Sequence, residues 1–355
     1  MSRPAGTKDV DYAQSMAILR TRFEWVMLIA FLIFLAVVPR IFSPETVDII
    51  NVMAIWVVGA HGLNLLTGYA GQISIGHAAF IGVGAYSTAV LILQLGLNHW
   101  WALLLAPIMT GLVGMVFGLP SLRLKGFYLA MATLAAQFIL TTAFLFAMPG
   151  IVGGISGLTV PFPEIGGMSF RVPENLYYLL MPTAVLMTFF AKNIARSRLG
   201  RAFVAVRDND LAAEIMGISL FGYKLRAFFV GCLFAGVAGW MRVCYDGCVR
   251  PDIYPLMDSI WYLGVIIIGG MGSTMGAIFG AIFVRLLHEM VLVASPALGS
   301  FFPPEIAGQL GSGLGLVVFG VVVALFLIFE PRGITHTWEI LKGRIRHWPF
   351  VFAPG

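Results

Sequence analysis

The sequence predicts an all-α fold, a polytopic membrane bundle of about ten spanning helices, one or two of them short or broken, with both termini cytoplasmic. Three observations carry that reading. Only 11% of the 355 residues are charged, whereas a soluble domain carries about 25% to keep its surface in water. Apolar runs close to the roughly 20 residues needed to cross a bilayer follow one another along the chain. The basic residues gather in short stretches between these runs, which is how the cytoplasmic face of a membrane protein is marked.

The runs fall at 24–42, 49–67, 74–95, 101–119, 127–147, 176–192, 225–247, 258–270, 274–294 and 312–330. Arg20 and Arg22 precede the first, but Val37-Val38-Pro39-Arg40 offers no small-residue cleavage site, so this run is expected to stay as an uncleaved anchor. The eighth run is too short to span unaided, and Gly269, Gly270, Gly272, Gly276 and Gly280 interrupt its passage into the ninth. A short or discontinuous helix followed by a full one fits, since irregular backbone is tolerated where protein or a cavity covers it. The connecting segments at about 148–175 and 295–311 read as long outside loops. The first is too rich in glycine for a long helix, and serves equally as a plain connection or as a cap that meets an external partner.

Ten crossings put both ends on one side. With that side inside, the tail 1–23 (Arg3, Lys8, Arg20, Arg22), the turn with Arg123 and Lys125, the loop 193–224 with its flanks (Lys192, Arg196, Arg198, Arg201, Arg207, Lys224, Arg226) and the tail 331–355 (Arg332, Lys342, Arg344, Arg346) hold 17 of the 22 basic residues. Arg40, Arg171, Arg242, Arg250 and Arg285 remain. The membrane domain is thus 24–330. A net charge of +5 distributed in this way points to a membrane face and away from nucleic acid. Cys232, Cys244 and Cys248 lie in or beside one apolar run and read as packing residues rather than as a disulfide or metal frame.

Within 197–224 the pattern turns from lipid-type to amphipathic. Ala202, Val206, Ala213 and Met216 share an apolar side, with Arg201, Arg207, Asp208 and Asp210 polar. Asp208 or Asn209 suits an N-cap, Gly217 a C-cap, and between them runs a short helix ending near Met216. Such a helix either presents its small residues to another protein or lies on the lipid surface.

Five glycines (68, 71, 76, 82, 84) crowd one block, although each weakens a helix by about 1 kcal/mol relative to alanine. Close helix packing is one reason, as the four-residue spacing of Gly231, Ala235 and Gly239 suggests elsewhere. The other is a broken helix whose free amides line a path together with Gly71, Gln72, Ser74 and His77, where a zwitterion would find donors. Gly270 and Ser273, at the second break, are further candidates for that path. Arg242 with Asp246, and Arg285 with Glu289, stand four residues apart and are expected to pair along helix faces.

Several blocks carry a family resemblance. Ala212-Ala213-Glu214 followed by Gly217 resembles the coupling-loop motif of ABC importer permeases. Gly68-Tyr69-Ala70-Gly71-Gln72-Ile73-Ser74-Ile75-Gly76-His77-Ala78-Ala79-Phe80, Leu122-Arg123-Leu124-Lys125-Gly126, Gly153-Gly154 with Gly157-Leu158, Gly269-Gly270-Met271-Gly272-Ser273 and Pro331-Arg332-Gly333 are similar to the branched-chain amino acid permease family, in unbroken order from about residue 50 to 335. They look like the M-type of its two permeases. The resemblance implies a bacterial inner-membrane subunit paired with a second, homologous permease, two cytoplasmic ATPases and an external binding protein. It implies no catalysis and no cofactor on this chain, with ATP and Mg held by the partner subunits; the chain has no Walker A sequence. The short helix at 208–216 would sit in an ATPase groove, through Arg201, Asp210, Ala212, Ala213, Glu214 and Gly217, with Glu214 and Arg201 as polar contacts. Leucine, isoleucine and valine are the implied substrates, while relatives also move urea, short amides or aromatic acids. Phe127 and Gln137 stand where the family often has an acid. An ion-gradient transporter is the alternative, but the clearest runs lack the mid-span acids it would use. A channel would need polar rings, and a membrane enzyme a nucleophile or metal cluster; neither pattern is present in the sequence.

Overall fold

The computed structural model describes residues 22–124, 126–146, 149–299 and 304–347, and these are mostly helical. The helices are α1 (Arg22–Ile41), α2 (Pro44–Leu63, continued as a π-helical turn Asn64–Tyr69), α3 (His77–Leu93), α4 (His99–Gly118), α5 (Phe127–Phe146), α6 (Pro173–Arg196), α7 (Arg198–Asp208), α8 (Asp210–Ile215), α9 (Leu220–Asp246), α10 (Leu256–Gly269), α11 (Thr274–Gly299), α12 (Pro304–Phe329) and α13 (Ile334–His347). All ten apolar runs are therefore helical over most of their length. Among the described residues, seven helices are long and apolar enough to cross a membrane, eight if Gly315–Phe329 and Ile334–Lys342, bent by 46°, form one span. Trp25–Ile41 and His77–Leu93 are apolar but shorter. The tail residues Arg3, Lys8 and Arg20, and Lys125 in the second basic stretch, lie outside the described residues.

Two outside loops were expected, and only one forms. From Gly153 to Phe170 the chain makes a short 3-10 turn and minimal strands. Strand β1 (Leu158–Thr159) pairs antiparallel with β4 (Cys248–Val249), and β2 (Glu164–Ile165) with β3 (Met168–Ser169). Gly157 has φ +71°, and a Cβ there would lie 2.4 Å from the Val249 carbonyl oxygen, so the glycines permit a close-packed cap over the end of α9. The segment 295–311, by contrast, is largely helix: α11 runs on to Gly299 and α12 starts at Pro304. Proline is well suited to the first position of a helix, which is where α12 starts. Residues 300–303 lie outside the described residues.

Helices α2 and α9 are central, with 78% of the most apolar window of each buried, against 28–50% in the other spanning candidates. Small residues let them sit there. A Cβ on Gly84 of α3 would lie 2.5 Å from Gly236 Cα of α9, one on Gly239 2.3 Å from the Ile81 oxygen, and one on Gly236 2.6 Å from Pro107 Cα of α4. Backbone packed this closely gains dispersion contact where lipid supplies no hydrophobic drive. Gly84→Leu is accordingly expected to lower the thermal midpoint of the detergent-solubilised protein by many degrees, because backbone cannot move aside and overpacking costs about 1–3 kcal/mol or more. Gly320→Leu, where no atom lies within 4 Å of the added Cβ, is expected to leave the midpoint unchanged. Equal midpoints for the two variants would refute this packing argument.

Two ion pairs within the bundle form as their four-residue spacing predicts. Arg242 Nε donates to Asp246 Oδ2 at 2.5 Å, and Arg285 Nη2 to Glu289 Oε1. Cys232 and Cys244 are buried and unbridged; Cys248, half-buried, is unbridged as well.

Candidate functional site

The candidate site is built from two interruptions of the helical bundle and the loop beneath them. The first follows α2. Its last turn widens into the π-helical Asn64–Tyr69, then the chain runs irregularly from Ala70 to Gly76 before α3 starts at His77. His77 Nε2 donates to the Gly59 carbonyl at 2.9 Å. Gly59 lies ten residues before the end of the π turn, roughly 15 Å at 1.5 Å per residue. The irregular segment therefore climbs back into the bundle, and α3 begins part-way along it. The second interruption is the Gly270–Ser273 turn between α10 and α11. Gly270 and Gly272 have φ +112° and +78°, a conformation open to glycine. A Cβ at Gly269 would lie 1.9 Å from the Gly276 oxygen, so the two helices leave the turn almost in backbone contact.

Both readings of the glycine block are realised, at different positions. Gly82 and Gly84 are packing glycines, Gly82 against Phe144 and Tyr254. Gly68, Gly71 and Gly76 belong to the break. The expectation that the amides opening α3 are free is not met. Ala78 N–H donates to Ser259 Oγ at 2.8 Å and Ala79 N–H to Gln137 Oε1 at 3.0 Å, while Ile75 N–H donates to Thr133 Oγ1 at 3.0 Å. A buried helix start needs such partners, and polar side chains of α5 and α10 supply them. The same short stretch nonetheless leaves buried side-chain atoms without a protein partner: Gln72 Oε1, Ser74 Oγ and His77 Nδ1. Leaving such an atom unpaired costs about 1–3 kcal/mol, and a group of them calls for an explanation beyond packing. Because His77 Nε2 must carry the proton it gives to Gly59, Nδ1 of the neutral ring is an acceptor.

The loop beneath is ordered by its caps. Ser197 ends α6 and starts α7, its Oγ accepting from Gly200 N–H at 3.4 Å. Asn209 Oδ1 accepts from Ala212 N–H at 3.0 Å, making Asn209 the N-cap of α8. At the other end Ile218 N–H donates to the Ala213 oxygen and Gly217 N–H to the Glu214 oxygen, with Gly217 at φ +84°; this is the Schellman arrangement, in which glycine closes the helix. Ala202, Phe203, Val206 and Ala213 face inward, and Phe203 packs with Leu66, Ala70, Leu129, Ala227 and Phe228 directly under the first break. Met216 was expected on this apolar side. It is 82% exposed instead, because the αL turn at Gly217 ends the helical periodicity just beyond it.

Of the other predicted coupling residues, Ala212, Glu214 and Arg201 are exposed and Asp210 is half-buried. Arg201 turns back on its own loop, Nη1 donating to the Arg196 oxygen at 2.9 Å. Leu211 and Ile215 are 65% and 79% exposed, so with Met216 they give this short helix an outward apolar face. Sequence reasoning singled out neither. An alternating pattern over six residues cannot show which side faces the bundle until the flanking helices are placed.

Asn64 was also missed, and it joins the two interruptions. Its Nδ2 donates to the Ser273 oxygen at 2.9 Å and its Oδ1 accepts from Gly272 N–H at 2.8 Å. An asparagine inside an apolar run was the available signal, since a polar side chain buried in a membrane span is expected to be bonded. Ser273 itself caps α11, Oγ accepting from Gly276 N–H at 3.2 Å, and Thr335 Oγ1 donates to the Gly269 oxygen at 2.7 Å. No group of three or more His, Cys, Asp or Glu side chains suited to a metal ion occurs among the described residues.

A multi-pass bundle with interrupted helices and an amphipathic loop beneath them is an arrangement in which transporters place a substrate path. Comparison with known proteins agrees. The family described as branched-chain amino acid transport system / permease component matches residues 46–329. The chain belongs to this family, and it is a permease component of an ABC transport system. It is 29% identical to the high-affinity branched-chain amino acid transport system permease protein LivM of Escherichia coli, over 87% of this chain and 74% of that one. A probable branched-chain amino acid transport permease protein LivM of Methanocaldococcus jannaschii is 22% identical, over 81% and 94%. BraD of Pseudomonas aeruginosa, a permease protein of the same kind of system, is 26% identical over 46% and 48%. No solved structure matches.

Proposed function

We propose that this chain is one of two permeases of an ATP-driven importer of leucine, isoleucine and valine in the bacterial inner membrane. Its termini and the loop 193–224 face the cytoplasm. A homologous permease completes the path, an external binding protein delivers the amino acid at the opposite end, and two ATPase subunits dock at the loop. The chain crosses the membrane ten times, with the bent Gly315–Phe329 and Ile334–Lys342 pair treated as one passage that turns back at the cytoplasmic face.

The observation that carries this reading is the α8 helix. It presents Leu211, Ile215 and Met216 outward on a loop flanked by Arg196, Arg198, Arg201 and Arg207. An apolar knob held by an N-cap and a Schellman turn is suited to seat in a protein groove and move as a rigid unit. Nucleotide-driven closure of the ATPases would then displace α7 and α8 together. The substrate assignment rests on the relatives' names, and the path assignment on the orphaned acceptors of Gln72, Ser74 and His77 together with Gly71, Gly270 and Ser273 at the breaks.

Reconstitution tests the whole. Proteoliposomes holding this chain, its partner permease and the ATPases, supplied with the binding protein, are expected to accumulate labelled leucine only with ATP present. A cysteine placed at Glu214 is expected to react with an impermeant maleimide only from the ATPase side. Uptake driven by an ion gradient without ATP, or labelling of that cysteine from the binding-protein side, would overturn the proposal.

A further inference from the structure

We propose that Arg207 is the positioning residue that ties the ATPase-facing loop to both helix breaks, so that movement of the loop reaches the path by this polar link and not by the apolar contact of Phe203 with Leu66 and Ala70 alone. The inference deepens the importer reading and rests on it.

Arg207 stands in the last turn of α7, two residues before the Asn209 cap of α8. Its Nη1 donates to the Gly68 oxygen at 2.8 Å. Its Nε and Nη2 lie 2.9 and 2.8 Å from Asp208 Oδ1. One edge of the guanidinium is therefore held by its neighbour in sequence while the other reaches the first break, a division that the planar fork of arginine permits and a lysine ammonium does not. The stem is fixed as well. A Cβ on Gly71 would lie 2.8 Å from Arg207 Cγ, and one on Gly272 would lie 3.1 Å from Nη1. The side chain, 36% exposed, thus lies along a surface slot that has a glycine of each break on its walls. Gly68 is crowded on its other side by Gly272 N, 2.5 Å from where its Cβ would stand.

The two breaks are in turn bound to each other. Asn64 bridges Gly272 and Ser273, and Tyr69 Oη lies 3.3 Å from Thr274 Oγ1. A displacement of α7 and α8 that carries Arg207 has two direct loads, the Gly68 carbonyl and the Gly272 turn, and neither can move without the other. This accounts for Gly68, Gly71 and Gly272 together: each is the absence of a side chain where the arginine, or the opposite break, needs the room. Arg201, the arginine favoured on resemblance, bonds instead within its own loop.

A purely structural arginine would change how much transporter is made, and leave the yield of each ATP alone. The test therefore uses the complete transporter in proteoliposomes, with leucine as the probe. It measures leucine taken up per ATP hydrolysed, and hydrogen exchange of segments 64–76, 197–217 and 266–276 with and without ATP plus vanadate. For Arg207→Ala the uptake per ATP is expected to fall at least tenfold. The nucleotide-dependent change in exchange is expected to persist in 197–217 and to vanish in the other two segments. Arg207→Lys, which keeps a donor for Gly68 but not the fork, is expected to lie between. Uptake per ATP within twofold of wild type, or a nucleotide response that still reaches 64–76 in Arg207→Ala, would overturn the proposal. If the alanine variant does not assemble, the same two readings on the lysine variant decide: a wild-type ratio and response count against the link, a reduced ratio with a confined response for it. Wild-type transporter without ATP-driven leucine uptake would instead defeat the importer reading, and the exchange response to nucleotide would still judge the link by itself.

Discussion

Replacing Leu211 and Ile215 together by aspartate is expected to strip the ATPase subunits from the purified transporter and to bring ATP-driven uptake down to background. Both side chains are mostly exposed and contribute little to the fold of this chain, so their loss is expected to leave its thermal midpoint in detergent unchanged. At an interface each would bury apolar surface worth about 1.5–3 kcal/mol, and an aspartate in its place adds the cost of desolvating a charge. A combined loss of about 4 kcal/mol or more corresponds to roughly a thousandfold weaker docking. Glu214→Ala serves as the comparison. A rim carboxylate is worth about 0–1 kcal/mol, so the ATPases are expected to stay bound. The competing account, in which α8 merely lies on lipid, predicts that the double variant keeps its ATPases, since the spanning helices hold the chain in the bilayer either way. Co-purification from detergent separates the two directly.

Much of this arrangement could be read from the residues, because the physics that fixes it is local or periodic. All ten apolar runs are helical over most of their length, as a medium with no water to satisfy the backbone favours, although among the described residues only seven or eight helices are long and apolar enough to span. The α8 helix was legible from its caps, Asp208 or Asn209 at the start, of which the structure uses Asn209, and Gly217 at the end, since an N-cap side chain and an αL glycine act within a few residues. The Arg242–Asp246 and Arg285–Glu289 pairs follow from helical spacing alone. What could not be read depends on which elements meet. Nothing near Gln137 in the chain indicates that it reaches the start of α3, and nothing near Arg207 indicates Gly68, 139 residues earlier. Their partners are set by the crossing of helices far apart in sequence. The glycine block offered two explanations that proved to apply to different glycines, a division visible only once Gly236 and Gly272 are placed opposite Gly84 and Gly68. The amphipathic loop misled at Met216 for a related reason, since periodicity says nothing about where a helix stops being one.

The second large effect is expected at Gln137. Its Oε1 accepts from Ala79 N–H and from Ser259 Oγ, both at 3.0 Å, and its Nε2 donates to the Tyr254 oxygen at 2.9 Å. Ser259 Oγ in turn accepts from Ala78 N–H. One buried amide side chain thus closes the first turn of α3 and binds it to α5, to α10 and to the turn before α10. Gln137→Leu fills a similar volume and removes every one of these bonds. The Ala79 amide, the Tyr254 carbonyl and the Ser259 hydroxyl lose their partner at once, and each costs about 1–3 kcal/mol if left unpaired in a buried site. Since α3 begins inside the bundle, water has poor access to repair the loss. The variant is expected to accumulate poorly in the membrane and to melt well below wild type, with uptake lost in proportion to the amount of transporter. Gln137→Glu discriminates between a packing and a bonding account of this site. The glutamate keeps both acceptor contacts beside a helix N-terminus, but its second oxygen faces the Tyr254 carbonyl and must either take a proton to donate there or be repelled by it, a cost that the glutamine does not carry. Its melting temperature is therefore expected to fall between those of wild type and the leucine variant. If leucine were tolerated better than glutamate, volume rather than hydrogen bonding would be what holds α3 in place, and the break before it would owe its geometry to the glycines alone.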